Sequence, residues 1–340
     1  MKAAFVDPIG IDNLAIVDLP DPAPAADEVL VRIDHVSLNY RDILAVNGGY
    51  GRMQKQGKLI PLSDGAGEIV AIGAGVKGWK LGDRAMSTFF PRWQAGPLRR
   101  DSVMEDLGGM NDGVACEYRV FAADALVKLP ETMDTRAAAA LPCAAATAWN
   151  AVIEHGKVGP GHRVLVQGSG GVSLFALQFA VAAGAEVIAT VSSAEKAELA
   201  KSLGASAIVN YREDADWGKT VKKMTGGAGV DHVVEIGGNA TFKQSTIACG
   251  LGASIWSIGV VGGPRTELNI PVLSMSGLRI QGVVAGSRAS AQRMVAAMAH
   301  NKIGPVIDTS DYELSDLKAA LGHMEGGKHT GKIVLGVSHS

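Results

Sequence analysis

The sequence predicts an α/β chain in which a mostly β domain, assembled from both chain ends, accompanies a doubly wound parallel sheet. Three observations carry this prediction. Short alternating β-like runs punctuated by Gly and Pro fill the first third, strand and helix patterns alternate after Pro142, and a glycine-rich turn joins one of those strands to an apolar helix. The 340 residues, 47% of them hydrophobic, suffice for two packed domains.

From Met1 to about Ala122, runs such as EVLVRIDHV and EIVAIG stand between turn residues, which predicts a β domain whose first part covers residues 1–122. Between Phe90 and Gly113 the chain is polar, rich in Gly, Pro and Arg, and without period, so it reads as a lobe at a pocket entrance. After Pro142 come RVLVQG, GVSLFALQFAVAAG, AEVIATV, AEKAELAKSLG and AIVN. Parallel strands need helical crossovers, and this order supplies them, so residues 123–286 form the doubly wound domain. Its first helix is apolar all round, as a helix buried on both sides would be. VDHVVEIGG, ASIWSIG and LRIQGVVAG continue the pattern, and residues 287–340, ending in the strand GKIVLGV, return to the first domain.

Thirty-two basic residues against 34 acidic ones leave no field that favours nucleic acid or an anionic membrane, so a small molecule is the expected partner. Cys116, Cys143 and Cys249 show neither CxxC spacing nor a disulfide framework, which fits a reducing compartment. The opening MKAAFVDPIG lacks an apolar signal core, and no apolar run reaches about 18 residues. A soluble, cytoplasmic protein is expected.

QGSGGVS, residues 167–173, lies directly after a strand and directly before a helix. Gly168 permits the tight turn, Gly170 lets the backbone approach a pyrophosphate, and Gly171 and Val172 open a helix whose N-terminus favours that charge. Ser173 replaces the third small residue of the dinucleotide fingerprint, so helix–strand packing has to absorb a hydroxyl. About 20 residues on, where a carboxylate would hold a free ribose, stand Thr190, Val191, Ser192 and Ser193, then Lys196. Hydroxyls and an ammonium suit a 2′-phosphate, so NADP(H) is the expected cofactor. Ser192 and Glu195 also have capping-box spacing, leaving Ser192 as either a phosphate ligand or only a cap. Tyr211 follows AIVN and can stack or hydrogen-bond at the same adenosine end.

Nearly end to end, through VSLNYRDI, SDGAGEIVAIGAGVKGWKLGDR, LPCAAATAWNAV, QGSGGVS, VSSAEKAELAKSLGASAIVNYRED, GVDHVVEIGG and GKHTGKIVL, the chain resembles the medium-chain dehydrogenase/reductases, especially their quinone-oxidoreductase-like branch. The resemblance implies a GroES-like catalytic domain, a Rossmann domain, an active site between them, and a homodimer. In zinc-dependent relatives a cysteine stands at the position of Asn39, a His-Glu pair at Ser63 and Asp64, and a cysteine at Cys143. Only Cys143 is kept. Three strong ligands are needed for catalytic zinc, so none is expected. No structural zinc is expected either, because the lobe at 90–113 lacks the four cysteines such relatives carry there.

The resemblance also places Asn39 and Tyr50 at the nicotinamide, Asn39 as an orienting amide and Tyr50 as proton donor, with Tyr40 the alternative donor. Tyr50 has a second reading as a loop aromatic packed under the lobe. Arg41 and Asp42 are expected to pair and stiffen their loop. Thr147, Gly286, Ser287 and Lys332 match cofactor-facing positions, and Cys143 reads as a small residue beside the cofactor rather than a nucleophile. The eight histidines form no ligand cluster or catalytic set in sequence. The expected reaction is hydride transfer from NADPH to a quinone, enone or enal. Carbonyl reduction by a zinc-independent alcohol dehydrogenase is the enzymatic alternative, and NADPH binding without turnover the non-enzymatic one.

Overall fold

The structure, a computed structural model, describes residues 1–339. It divides into two compact units, one formed by Met1–Ala146 with the chain from Ala285 onward, the other by Thr147–Val284. Residues 123–146, read from sequence with the second domain, therefore cluster with the first, as do Ala285 and Gly286.

The first unit begins with the hairpin β1 (Lys2–Val6) and β2 (Leu14–Asp18). Next come β3 (Glu28–Ser37), α1 (Tyr40–Val46), β4 (Asp64–Ile72) and β5 (Arg84–Met86). The short helix α2 (Arg100–Val103) lies in the predicted lobe, followed by β6 (Tyr118–Ala122), β7 (Val127–Lys128) and α3 (Thr135–Ala139). Along β3 the side chains of Val29, Val31 and Ile33 are buried while their neighbours are partly exposed, the alternation that one covered sheet face imposes. Those residues enter one core with Leu38, Leu62, Ile69, Ile333 and Leu335. Gly67 of β4 faces a register shift in β3, and a Cβ there would lie 1.7 Å from the Arg32 carbonyl oxygen. Only glycine lets the two strands run this close.

The helix α4 (Ala146–Trp149) leads into the second unit. There β8 (Arg163–Gln167), α5 (Gly171–Ala182), β9 (Glu186–Val191), α6 (Ala194–Ser202) and β10 (Ala207–Asn210) realise the predicted alternation. It continues through α7 (Trp217–Met224), β11 (Val230–Glu235), α8 (Phe242–Ala248), β12 (Cys249–Ser257), α9 (Ile270–Ser276) and β13 (Arg279–Gly282). The sheet is parallel throughout, in the order β10-β9-β8-β11-β12-β13. Strand order reverses between β8 and β11, the crevice where doubly wound sheets bind ligands. Helix α5 buries Leu174, Phe175, Leu177 and Phe179, each contributing about 1.5–3 kcal/mol. At the far edge β13 is exposed along its whole length, and Ile270, Met275 and Ile280 are exposed nearby.

The chain then returns to the first unit with α10 (Arg288–Asn301), β14 (Tyr312–Glu313), α11 (Leu317–Glu325) and β15 (Val334–Gly336). β15 pairs antiparallel with β3, setting Val334 against Ser37, and β3 pairs with β4, setting Ser37 against Asp64. Three strand ends thus meet at one point. Among the described residues no helix is long and apolar enough to cross a membrane.

Candidate active site

The residues just past those strand ends are Asn39 after β3, Asp64 opening β4, and Lys332 before β15. The register fixes their meeting. Lys332 is 2% exposed, and its ammonium donates to the Leu38 carbonyl and to Asn39 Oδ1, both at 2.6 Å. Asp64 Oδ2 lies 3.4 Å from the ammonium and accepts the Cys143 N–H at 3.1 Å, while Ser63 Oγ donates to Asp64 Oδ1 at 2.6 Å. The second amide atom of Asn39, Nδ2, is buried and has no acceptor.

Helix α1 adds the other half. Asp42 Oδ2 accepts the Asn39 N–H at 2.7 Å, so the carboxylate caps the helix start. Arg41 pairs with Asp42 at 3.8 Å as expected, and its guanidinium also bonds Asp106 directly and donates to the Leu107 carbonyl at 2.8 Å. The lobe, whose fold the sequence left open, supplies this second partner. The guanidinium also lies over the rings of Phe89 and Tyr50, 4.8 and 5.4 Å from their centroids.

These charges alter one another. Burial drives the Asp42 carboxyl up to about 7, opposed by Arg41 and Lys332 and reinforced by Asp64. Burial also raises the Tyr50 phenol, with Arg41 opposing, so the phenol keeps its proton across neutral pH. The Cys143 thiol is pushed up by burial and by Asp64, which leaves it protonated and a poor nucleophile.

In the second unit the Gly-rich turn follows β8. Gly168 has φ of 73°, and its N–H donates to the Thr190 carbonyl at 2.7 Å. A Cβ at Gly168 or Gly170 would meet no protein atom within 4 Å, so the protein's own packing does not demand glycine at 170, whereas a closely approaching ligand would. Ser173 is absorbed by donating to the Gln167 carbonyl at 2.5 Å. Beside the turn, sequence reasoning missed a buried carboxylate. Glu235, at the end of β11, accepts Gln167 Nε2 at 2.9 Å, the N–H groups of Gly237 and Gly238 at 2.8 and 3.0 Å, Thr241 Oγ1 at 2.5 Å, and Ser245 Oγ. It locks the β8 and β11 ends on either side of the strand-order reversal. A lone acid in the apolar run VVEIGG was its signal.

Several expected site residues receive different duties. Ser193, not Ser192, caps α6, accepting the Lys196 N–H at 3.3 Å. Glu195 therefore falls at the second helical position and cannot close the box, which needs the third. Ser192 and Lys196 are partly exposed near the end of β9, Tyr211 is 42% exposed after β10, and Thr147 is buried. Gly286 is buried, and Ser287 caps α10 by accepting the Ser290 N–H at 3.2 Å. Lys332 spends its donors within its own unit. Tyr40 is 40% exposed at the start of α1, outside the buried cluster that Tyr50 joins through Arg41.

A parallel sheet in this strand order with an open glycine turn is the architecture that binds dinucleotides at its switch point, and the other unit is a mostly antiparallel sheet holding a buried polar cluster. Residues 25–131 match the alcohol dehydrogenase GroES-like domain family, and residues 171–300 match the zinc-binding dehydrogenase family. A zinc-type alcohol dehydrogenase-like protein of Schizosaccharomyces pombe is 40% identical over 315 residues, covering 91% of this chain and 90% of its own. A structure from Sinorhizobium meliloti 1021, described as an alcohol dehydrogenase, superposes with a TM-score of 0.91 at 36% identity, over 99% of this chain and 100% of that one. A mycobacterial protein complexed with NADPH superposes at 0.82 with 27% identity, over 99% and 100% of the two chains. The chain belongs to the medium-chain dehydrogenase/reductase superfamily.

Despite the family's name, the residues at the zinc-ligand positions do not fit a metal. An ammonium lies against two of them, Asn39 offers an amide already bonded to it, and Ser63 offers only a hydroxyl already donated to Asp64, which leaves Cys143 as the one strong ligand.

The Asp42 shift has a measurable consequence. With its folded pKa raised to about 7 over an unfolded value of about 4, the folded state binds the extra proton, so stability falls as pH rises through that window. The slope approaches about 1.4 kcal/mol per pH unit for one proton. Asp42→Asn keeps an acceptor for the Asn39 N–H but should flatten this slope, read by denaturant unfolding across the window. Parallel curves for variant and wild type would mean that Asp42 stays ionised.

Proposed function

We propose that this oxidoreductase uses NADPH to reduce an electrophilic carbon of a quinone, enone or enal, without catalytic zinc. The observation that carries the reading is the orphaned Asn39 Nδ2. An ammonium can only donate, so its bond to Oδ1 fixes the amide with Nδ2 as the spare donor. A buried donor left unmatched costs about 1–3 kcal/mol, which a substrate oxygen at that atom recovers.

Bound NADPH would supply the hydride. The protein's part is then to meet the oxygen on which charge develops. Asn39 Nδ2 donates to it, and the Tyr50 phenol, protonated at neutral pH, is the source of the proton. Arg41, clamped by Asp106 and Leu107, holds the phenol ring in place. The Cys143 thiol stays neutral and adds no competing nucleophile.

For the cofactor, we propose that Gly168, Gly170, Gly171 and Val172 receive the pyrophosphate, Ser192, Ser193 and Lys196 the 2′-phosphate, and Tyr211 the adenosine end, with Thr147, Gly286 and Ser287 lining the rest. Support comes from the absence of a carboxylate at 190–193 and from the NADPH-bound mycobacterial neighbour. Hydride delivery to a carbonyl carbon is the second reading, favoured by the alcohol dehydrogenase descriptions of the S. pombe and S. meliloti relatives. NADPH oxidation assayed against quinones, enals and simple ketones in the presence of a strong chelator tests the reading, and product analysis separates alkene from carbonyl reduction. Activity that disappears with the chelator and returns with zinc would overturn it.

The proposed partner beyond the substrate is a second copy of the chain, paired along the open edge of β13, where the exposed apolar residues gather. Light scattering should give twice the 35.1 kDa chain mass. A monomer at working concentrations would refute it.

For cofactor choice, Lys196→Ala should weaken NADPH at least about tenfold, as loss of one charge-assisted contact implies, while leaving NADH unchanged. Equal losses would show that Lys196 does not read the phosphate. For the chemistry, Asn39→Ala and Tyr50→Phe should each lower kcat by about ten- to a thousandfold, with the NADPH dissociation constant little changed. Tyr40→Phe should turn over normally. If Tyr40→Phe is the impaired variant instead, the donor assignment moves to Tyr40.

A further inference from the structure

Lys332 is the one buried cation at the meeting of β3, β4 and β15, and the sequence had marked it only as a cofactor-facing position. Its surroundings are those of an ion, not of a surface lysine. The Leu38 carbonyl, Asn39 Oδ1 and Asp64 Oδ2 all turn toward the ammonium, and Asp64 is itself held by Ser63 Oγ and the Cys143 N–H. Asn39, Ser63, Asp64 and Cys143 are the positions at which zinc-dependent relatives carry their ligands. Of these four the ammonium touches Asn39 and Asp64, while Ser63 and Cys143 reach it only through Asp64.

We propose that Lys332 is a positioning residue for the reaction, its ammonium holding Asn39 Oδ1 and so aiming Nδ2 at the reacting oxygen. This rests on the reading that Asn39 meets that oxygen. The ammonium acts one bond removed from that oxygen. It fills Oδ1, which forbids the flipped amide in which Oδ1 would face and repel the substrate oxygen, and it polarises the amide so that Nδ2 is the stronger donor. With three acceptors already facing it, the ammonium has no donor left over for substrate. The stem of Lys332 is fixed by its place before β15, where its N–H donates to the Val306 carbonyl at 2.9 Å. The orientation of the amide is therefore set before any ligand arrives.

A structural role alone would explain loss of folding on removing Lys332, because Asp64 would be left buried without its counter-charge. The test removes that complication. Asp64→Asn leaves no carboxylate to be orphaned, so Lys332→Met is compared with wild-type Lys332 in the Asp64→Asn background, reading thermal midpoint, NADPH dissociation constant and kcat with the best acceptor from the quinone, enal and ketone panel. We expect Asp64→Asn/Lys332→Met to melt no lower than Asp64→Asn, whose ammonium is buried without its counter-charge, and to match its NADPH affinity while losing at least about tenfold in kcat. In a background that also carries Asn39→Ala, the same Lys332→Met change should cost nothing further, because the amide it aims is gone. Undiminished kcat in the first comparison overturns the proposal and leaves Lys332 a structural ion. A full additional loss in the Asn39→Ala background overturns it as well, since Lys332 would then act independently of Asn39. Full activity of Asn39→Ala alone is the separate outcome that sinks the donor reading beneath it.

Discussion

The buried pairing of Lys332 with Asp64 and Asn39 is the constraint on which the first unit's site depends. An ammonium and a carboxylate taken out of water incur a desolvation cost of several kcal/mol per ion, about what their attraction returns only when every remaining lone pair and proton is matched. The surrounding strands provide those matches. The Ser37 register on both sides brings three chain segments of distant sequence to one point, and Gly67 lets β4 lie close enough to β3 to hold it. Replacing the pair by hydrocarbon could leave the fold as stable, so stability is not what the arrangement supplies. It supplies a defined amide orientation.

The second unit uses the opposite charge in the same way. Glu235 sits where strand order reverses and gathers donors from β8, the loop after β11 and α8. Its acceptors are filled by N–H and O–H groups, so the loop it organises has little freedom to collapse into the open space beside Gly168 and Gly170. Each unit thus fixes the backbone at its strand ends with one buried ion.

What was legible in the sequence was local. QGSGGVS carries its own strand, turn and helix, so the glycine turn and the doubly wound order could be read directly. Ser193 shows the limit even there, since a one-residue shift in helix start moves the cap from Ser192 and strands Glu195 at a position where it cannot reciprocate. Non-local partners were not legible. Arg41 pairs with Asp42 beside it in sequence, but its direct hydrogen-bonded partner, Asp106, comes from an aperiodic lobe, while Asp42 turns its other oxygen to the Asn39 N–H. Lys332 looked like a residue of a strand facing a ligand, and its true surroundings depended on a register that pairs the last strand with the third. The domain boundary failed for the same reason, because α3 joins the first unit through packing rather than through any change in composition.

On the proposed reading, working without a metal changes what the rest of the site has to provide. A dication accepts a lone pair from the substrate oxygen and tolerates full negative charge on it, so proton delivery can wait. A hydrogen-bonded amide backed by a single charge stabilises less, and the developing oxyanion needs a proton source close at hand. A phenol with its pKa pushed upward is well suited to hold that proton until charge appears, and Tyr50 is kept in that state by burial while Arg41 restrains the rise. The carboxylate of Asp42, raised to about 7, lowers the negative charge near the phenol when it is protonated. A site built this way favours acceptors whose reduced oxygen is itself only weakly basic, as in a hydroquinone or an enolate, over a simple ketone whose alkoxide demands far stronger stabilisation. That preference is why the quinone, enone and enal reading ranks above the alcohol dehydrogenase one, even though relatives carry the latter description.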